Sequence, residues 1–141
     1  MSNGARSIPA AQGKFRQPKI LIVDDAPALR LMVSIHLQLG GFETVLADDA
    51  EAALELIDRH GAEIDLVFID ISAGSATDGL ALAQRLQETR PCLPLLFASS
   101  TSKKTELVRE LRDKVIRKPY DVDKVAERIR ALVGHELIAA A

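Results

Sequence analysis

The sequence predicts an α/β fold, a doubly wound parallel sheet of the (βα)5 kind, and three observations predict it. First, short continuous apolar runs recur along the chain: Ile20-Leu21-Ile22-Val23, Leu66-Val67-Phe68-Ile69, Leu95-Leu96-Phe97-Ala98 and Val115-Ile116. Unbroken runs of this length suit strands buried on both faces of a parallel sheet, whereas half-exposed strands alternate apolar with polar residues. Second, segments with helical spacing of apolar residues stand between them. Third, the runs end on polar or charged residues: Asp24 and Asp25, Asp70, Ser99 and Lys118. Strands that all point one way bring their last residues to one edge, the edge at which open α/β sheets bind ligands. Three carboxylates crowded there repel one another, and a divalent, oxygen-seeking ion such as Mg²⁺ relieves that repulsion most simply.

Residues 1–18 contain Ser, Asn, Gly, Gln and Pro, no acid, and the basic residues Arg6, Lys14 and Arg16. A segment with so little apolar surface does not offset its ordering entropy, so a mobile N-terminal tail is expected. From Lys19 the elements alternate. Strand 20–23 is followed by a helix carrying Leu29, Met32, Val33, His36 and Leu37, which Gly40-Gly41 ends. Phe42 to Ala47 is a second strand. Asp49 suits the N-cap of a helix over 50–59, with Ala53, Leu54 and Ile57 on its apolar side. The strand ending at Asp70 leads through a small-residue loop, Ser72 to Thr77, into a helix from Asp78 carrying Leu80, Ala83 and Leu86. Pro91 and Pro94 bracket the start of the fourth strand, and Leu107, Val108 and Leu111 mark a short helix over 103–112. A strand of three or four residues at Val115-Ile116, then Lys118-Pro119, and a final helix with Val122, Val125, Ala126, Ile129, Leu132 and Val133 on one face complete the unit. Gly134 is expected to stop that helix, leaving 135–141 as a short tail.

Composition limits the functions available. A chain of 141 residues, 48% apolar and 27% charged, is an ordinary globular domain. A net charge of −2 provides no general attraction to nucleic acid. Cys92 stands alone, so no internal disulfide forms and a reducing cytoplasm is the expected compartment. No apolar stretch is long enough to cross a membrane, and the N-terminus lacks a secretion core.

The ordered set of polar strand ends, over about 19–134, resembles the receiver domain of bacterial two-component response regulators. Val23-Asp24-Asp25 with Pro27 and Arg30 resembles that family's acidic pair and following helix. Asp70 stands at the place of its phosphorylated aspartate, Ser99 at its Ser/Thr switch, and Lys118-Pro119 at its Lys-Pro pair. The resemblance implies a flavodoxin-like strand order, 2-1-3-4-5, and a cis bond at Lys118-Pro119. It also implies that Asp70 accepts a phosphoryl group from a sensor histidine kinase or a histidine phosphotransfer protein. Mg²⁺ would be held by Asp25, Asp70 and the backbone carbonyl of Ser72, and through water by Asp24. Lys118 would add a second positive charge and Ser99 would hydrogen-bond the phosphoryl group. By the same implication the chain signals and is not an enzyme, and its downstream protein target is not encoded here. Since seven residues follow Gly134, a single-domain regulator acting by docking or phosphate relay is expected.

Each assignment has a plainer alternative. Asp24-Asp25 could cap the first helix, since Asp at an N-cap is common. Asp70 could be a turn residue, and Lys118 a solvated lysine. Ser100 rivals Ser99, although the register from Pro94 favours Ser99. Asp48-Asp49 is excluded as the metal pair because the second strand belongs at the sheet edge, away from the crevice between strands one and three. His36, His60 and His135 lack metal-ligand spacing.

Departures from the family pattern are also informative. The segment 71–77 lacks the usual Met-Pro, Asp78-Gly79 comes one residue late, Val115 replaces the aromatic switch residue, and the interval from Ser99 to Lys118 is short. Phe97-Ala98-Ser99-Ser100-Thr101 resembles the Phe-Ala-Thr-Gly-Tyr signature of an atypical group of stand-alone receivers, with Ser, Ser and Thr in place of Thr, Gly and Tyr. The polar entry to 100–112 marks that stretch as the expected mobile element and docking surface. Two other functional classes stand beside this one. An aspartyl-phosphate phosphatase needs an acid/base aspartate two residues after its nucleophile, where this chain has Ser72. A pseudo-receiver, an interaction module that is never phosphorylated, is the alternative that the altered loop after Asp70 leaves open.

Overall fold

The computed structural model describes residues 16–71, 78–100 and 114–140, the last six of them through their backbone only. Strands β1 (Lys19–Val23), β2 (Glu43–Ala47), β3 (Ile64–Asp70), β4 (Leu95–Ser99) and β5 (Val115–Arg117) form one sheet. Its order is β2-β1-β3-β4-β5, and every pairing is parallel. The described helices are α1 (Pro27–Leu39), α2 (Ala50–His60), α3 (Gly79–Thr89) and α4 (Val122–Ala140), with a 3₁₀ turn at Gly61–Glu63.

The apolar runs pack by alternation, since successive side chains in a strand point to opposite faces. On one face Leu21, Val23, Val67, Ile69 and Phe97 pack with Ala53 and Ile57 of α2 and Leu82 and Leu86 of α3. On the other, Ile20, Ile22, Leu66, Phe68, Leu96 and Ala98 pack with Val33 and Leu37 of α1 and with Val125, Ile129 and Val133 of α4. Fully burying one such side chain is worth about 1.5–3 kcal/mol, so the central strands carry the largest share of the core. Parallel pairing also sets the ends level. Val23 pairs with Ile69, and Asp70 with Ala98. Asp24, Asp70 and Ser99 therefore emerge at one edge.

Two expectations change. Gly134 does not end the last helix, which continues to Ala140. A glycine inside a helix costs only about 1 kcal/mol relative to alanine. It terminates a helix when it takes the left-handed conformation, as Gly41 does after α1 at φ +99°. Nor are residues 16–18 loose. Arg16 holds Asp65 with two hydrogen bonds, 2.9 and 2.8 Å, and the carbonyl of Pro18 accepts from the Glu43 amide at 2.9 Å. These contacts anchor the entry to β1, so the expected tail cannot extend to residue 18.

Smaller offsets are at element ends. Phe42 precedes β2, buried beneath the end of α1, and α3 begins at Gly79, one residue after Asp78. Asp49 caps α2 as expected, its Oδ1 accepting the Ala52 amide at 2.7 Å. The expected helix over 103–112, the small-residue loop with Ser72, and residues 1–15 lie outside the described residues.

Candidate functional site: an acidic pocket at the carboxyl edge of the sheet

Four strands deliver the polar groups. Asp24 and Asp25 follow β1, Asp70 is the last residue of β3, Ser99 the last of β4, and Lys118 follows β5. Asp24, Asp70 and Ser99 are buried, at 4%, 4% and 3% exposure, while Asp25 is exposed at the rim. Buried charges persist only when paired or when they hold a metal. Oxygen atoms of Asp24, Asp25 and Asp70 all lie within 4.8 Å of one another. The Lys118 ammonium donates to Asp70 Oδ2 at 3.0 Å and stands 3.8 Å from Asp24 Oδ2. Set against three carboxylates, this ammonium leaves the group of four with an excess of negative charge.

That excess is visible in Asp24. Its carboxyl is held above the usual carboxylate range, chiefly by burial. The charges of Asp70 and Asp25 push the same way, against a hydrogen bond from the Ala26 amide and the pull of Lys118. Oxygen donors in this number and at these separations suit a hard divalent cation. The cluster could therefore hold such an ion.

Lys118 is placed by backbone as much as by charge. Its amide donates to the Ser99 carbonyl at 2.9 Å, which ties the ends of β4 and β5 together, and the Lys118-Pro119 bond is cis. Ser99 is buried and Ser100 exposed, so the buried hydroxyl at the edge belongs to Ser99. Asp48-Asp49 stays out of the cluster: β2 is the edge strand, and Asp49 is engaged in its helix cap. His36 pairs with Asp123 at 2.8 Å and His60 faces Glu63 at 3.5 Å, neither of them in the pocket.

Two further residues join the site: Gly79, marked in the sequence only as part of the late Asp78-Gly79 pair, and Tyr120, which the pattern did not single out. Gly79 starts α3 against the end of β3. A Cβ there would collide with the Asp70 carbonyl oxygen and lie 2.8 Å from Ile69 Cγ2 and 2.9 Å from Ile71 Cγ2. Only glycine allows that approach. Tyr120 lies under the pocket, its ring 5.8 Å from that of Phe68. Phe68 is two residues before Asp70 on the same face of β3. The Tyr120 hydroxyl is buried with no hydrogen-bond partner among the described residues. Burial and then the carboxylates of Asp24 and Asp70 drive its ionisation far upward, so it stays a neutral phenol. Its position directly after Lys118-Pro119 was the available signal.

A parallel five-stranded sheet in this order, with an acidic pair, a third aspartate and a lysine at its carboxyl edge, is a flavodoxin-like fold with an acidic pocket. The sequence matches the response regulator receiver domain family over residues 20–130, and the chain belongs to that family. Among curated relatives, it is 30% identical over 121 residues to the DNA-binding dual master transcriptional regulator RpaA of Synechocystis, covering 82% of this chain and 49% of the relative. It is 29% identical over 120 residues to the autoinducer 1 sensor kinase/phosphatase LuxN of Vibrio campbellii, covering 84% of this chain and 14% of the relative. A response regulator from Thermotoga maritima superposes with a TM-score of 0.69 at 25% identity, covering 84% of this chain and 98% of the other. The chain thus spans about half the length of the first of these relatives, and far less of the second.

Proposed function

We propose that the chain is a phosphorylation-controlled signalling domain: Asp70 accepts a phosphoryl group from the phosphohistidine of a sensor histidine kinase or a histidine phosphotransfer protein, in the presence of Mg²⁺. The observation that carries the reading is the convergence of Asp24, Asp25 and Asp70 within 4.8 Å, with Lys118 3.0 Å from Asp70. A carboxylate oxygen of Asp70 attacks phosphorus, the phosphorus–nitrogen bond to the donor imidazole breaks, and the leaving imidazole takes up a proton. Asp70 is a weak nucleophile facing an anionic group, so the chemistry depends on charge neutralisation and alignment. Mg²⁺ held by Asp24, Asp25 and Asp70 supplies part of that neutralisation when bound. Lys118 supplies the rest: its contact with Asp70 Oδ2 leaves the ammonium beside the incoming oxygens.

Ser99 acts after transfer. Its hydroxyl hydrogen-bonds a phosphoryl oxygen, and because the Ser99 carbonyl holds the Lys118 amide, movement of either strand end reaches the other. Output is a protein contact or onward passage of the phosphoryl group, in the cytoplasm, to a target that a sequence alone does not encode. No part of this scheme calls for nucleic acid, and no helix among the described residues is long and apolar enough to cross a membrane.

Phosphotransfer from a panel of autophosphorylated histidine kinases tests the proposal. One donor should label the native chain quickly and only with Mg²⁺, and leave Asp70→Asn unlabelled. Failure of every donor, together with an unchanged thermal transition on adding Mg²⁺ and beryllofluoride, would leave the pseudo-receiver reading in its place.

A further inference from the structure

The turn that carries the acidic pair is built differently from its counterpart before α2. There, the Asp49 side chain caps the helix. Helix α1 has Ala26 at its N-cap, Pro27 at its first position, no side-chain cap and no acid in its first turn. The turn is held by other means. Asp24 Oδ1 accepts the Ala26 amide at 2.9 Å, and Arg30, one turn into α1, reaches back to donate Nη1–H to the Asp24 carbonyl at 2.6 Å. That short, charge-assisted bond fixes a peptide plane. The Asp24 carbonyl and the Asp25 amide share this plane, so its orientation sets the direction in which Asp25 leaves the chain. Asp25 is the exposed member of the cluster.

We infer that Arg30 is a positioning residue of the cation-binding turn: it holds the Asp24–Asp25 peptide in the orientation that keeps the three carboxylates convergent. The inference rests on the reading that this cluster takes a divalent cation. The sign of the effect separates positioning from simple electrostatics. Removing a positive charge next to an acidic cluster deepens the negative field, so a purely electrostatic Arg30 would give variants that bind Mg²⁺ more tightly. A positioning Arg30 gives variants that bind it more weakly. Groups that orient metal ligands in this way typically change affinity by about 10- to 100-fold when removed.

Thermal unfolding of the full chain at a series of Mg²⁺ concentrations reads both properties at once. The transition without metal reports the structural contribution of Arg30, and its rise with Mg²⁺ reports affinity through linkage. Arg30→Ala should need about 10- to 100-fold more Mg²⁺ for the same rise, whatever its metal-free transition. Arg30→Lys keeps a cation able to donate one hydrogen bond and should fall between. Arg30→Met keeps length without charge, and decides the matter if the alanine variant does not fold. A rise in these variants equal to or steeper than in the native chain would overturn the inference while leaving the metal site intact. No rise in the native chain itself would overturn the site and the inference together, and Asp25→Asn, which should lose the rise, marks that limit.

Discussion

Asp24 is a buried carboxylate at the centre of the acidic pocket, and its ionisation couples to stability. Because its carboxyl is held above the ordinary range by burial, with Asp70 and Asp25 adding to the effect, the folded chain binds that proton more tightly than the unfolded chain does. Where the native state binds more protons, stability falls as pH rises. The metal-free domain should therefore lose stability as pH climbs from about 3.9, the unfolded value, through the raised native value, and level off above it. Asp24→Asn removes this loss, so it should melt higher than the native chain at neutral pH without metal and show a flatter profile. Superimposable melting profiles would mean that burial does not hold the Asp24 carboxyl above the ordinary range.

On the proposed function, Ser99 and Lys118 divide the remaining work. Ser99→Ala should still accept phosphate but respond weakly to it, because the hydroxyl acts on a phosphoryl group already in place. Lys118→Ala removes the ammonium that donates to Asp70 and should slow transfer by about 10²-fold or more, as loss of a transition-state donor does. Rates of labelling, and hydrogen exchange with and without beryllofluoride, distinguish the two; equal labelling with an undiminished response in both would contradict these roles. The identity of these residues was readable from strand ends. Gly79 was legible only as half of the late Asp78-Gly79 pair and Tyr120 only as the residue after Lys118-Pro119, because what each does here is a contact with β3 made across the fold.

Among the elements, strands and most helices were legible because burial on one or two faces imposes a period on the sequence, and Asp49 was legible because capping is local chemistry. Gly134 misled because glycine marks a helix end only through the conformation it takes, and the residues after it decide that conformation. Gly134 is helical and a Cβ there would meet nothing within 4 Å. Gly134→Ala should therefore stabilise the domain by about 0.5–1 kcal/mol in denaturant unfolding. A destabilised variant would mean that α4 does end there. The opposite holds for Gly79, where a methyl group would press on the Asp70 carbonyl and on two isoleucines. Gly79→Ala should cost about 1–3 kcal/mol, and should slow labelling of Asp70 because the overpacked contact is the acceptor strand itself. Native stability together with native labelling would show that α3 can withdraw at no cost.

At the scale of the whole molecule, the parallel sheet is what turns scattered residues into a site. Level strand ends, set by the pairing of β1 with β3 and β3 with β4, bring side chains separated by dozens of residues into hydrogen-bond range. The architecture was legible because that edge is fixed by topology once the strands are assigned. The anchoring of the chain entry was not legible, because Arg16 finds Asp65 across 49 residues. Intact-mass measurement after incubation with a small phosphodonor tests the central claim most directly. The native chain should gain one phosphoryl group, only with Mg²⁺ present, in a bond that hydroxylamine cleaves, and Asp70→Asn should gain none. Equal phosphorylation of the asparagine variant, or a modification stable to hydroxylamine, would contradict the assignment of Asp70 as the acceptor.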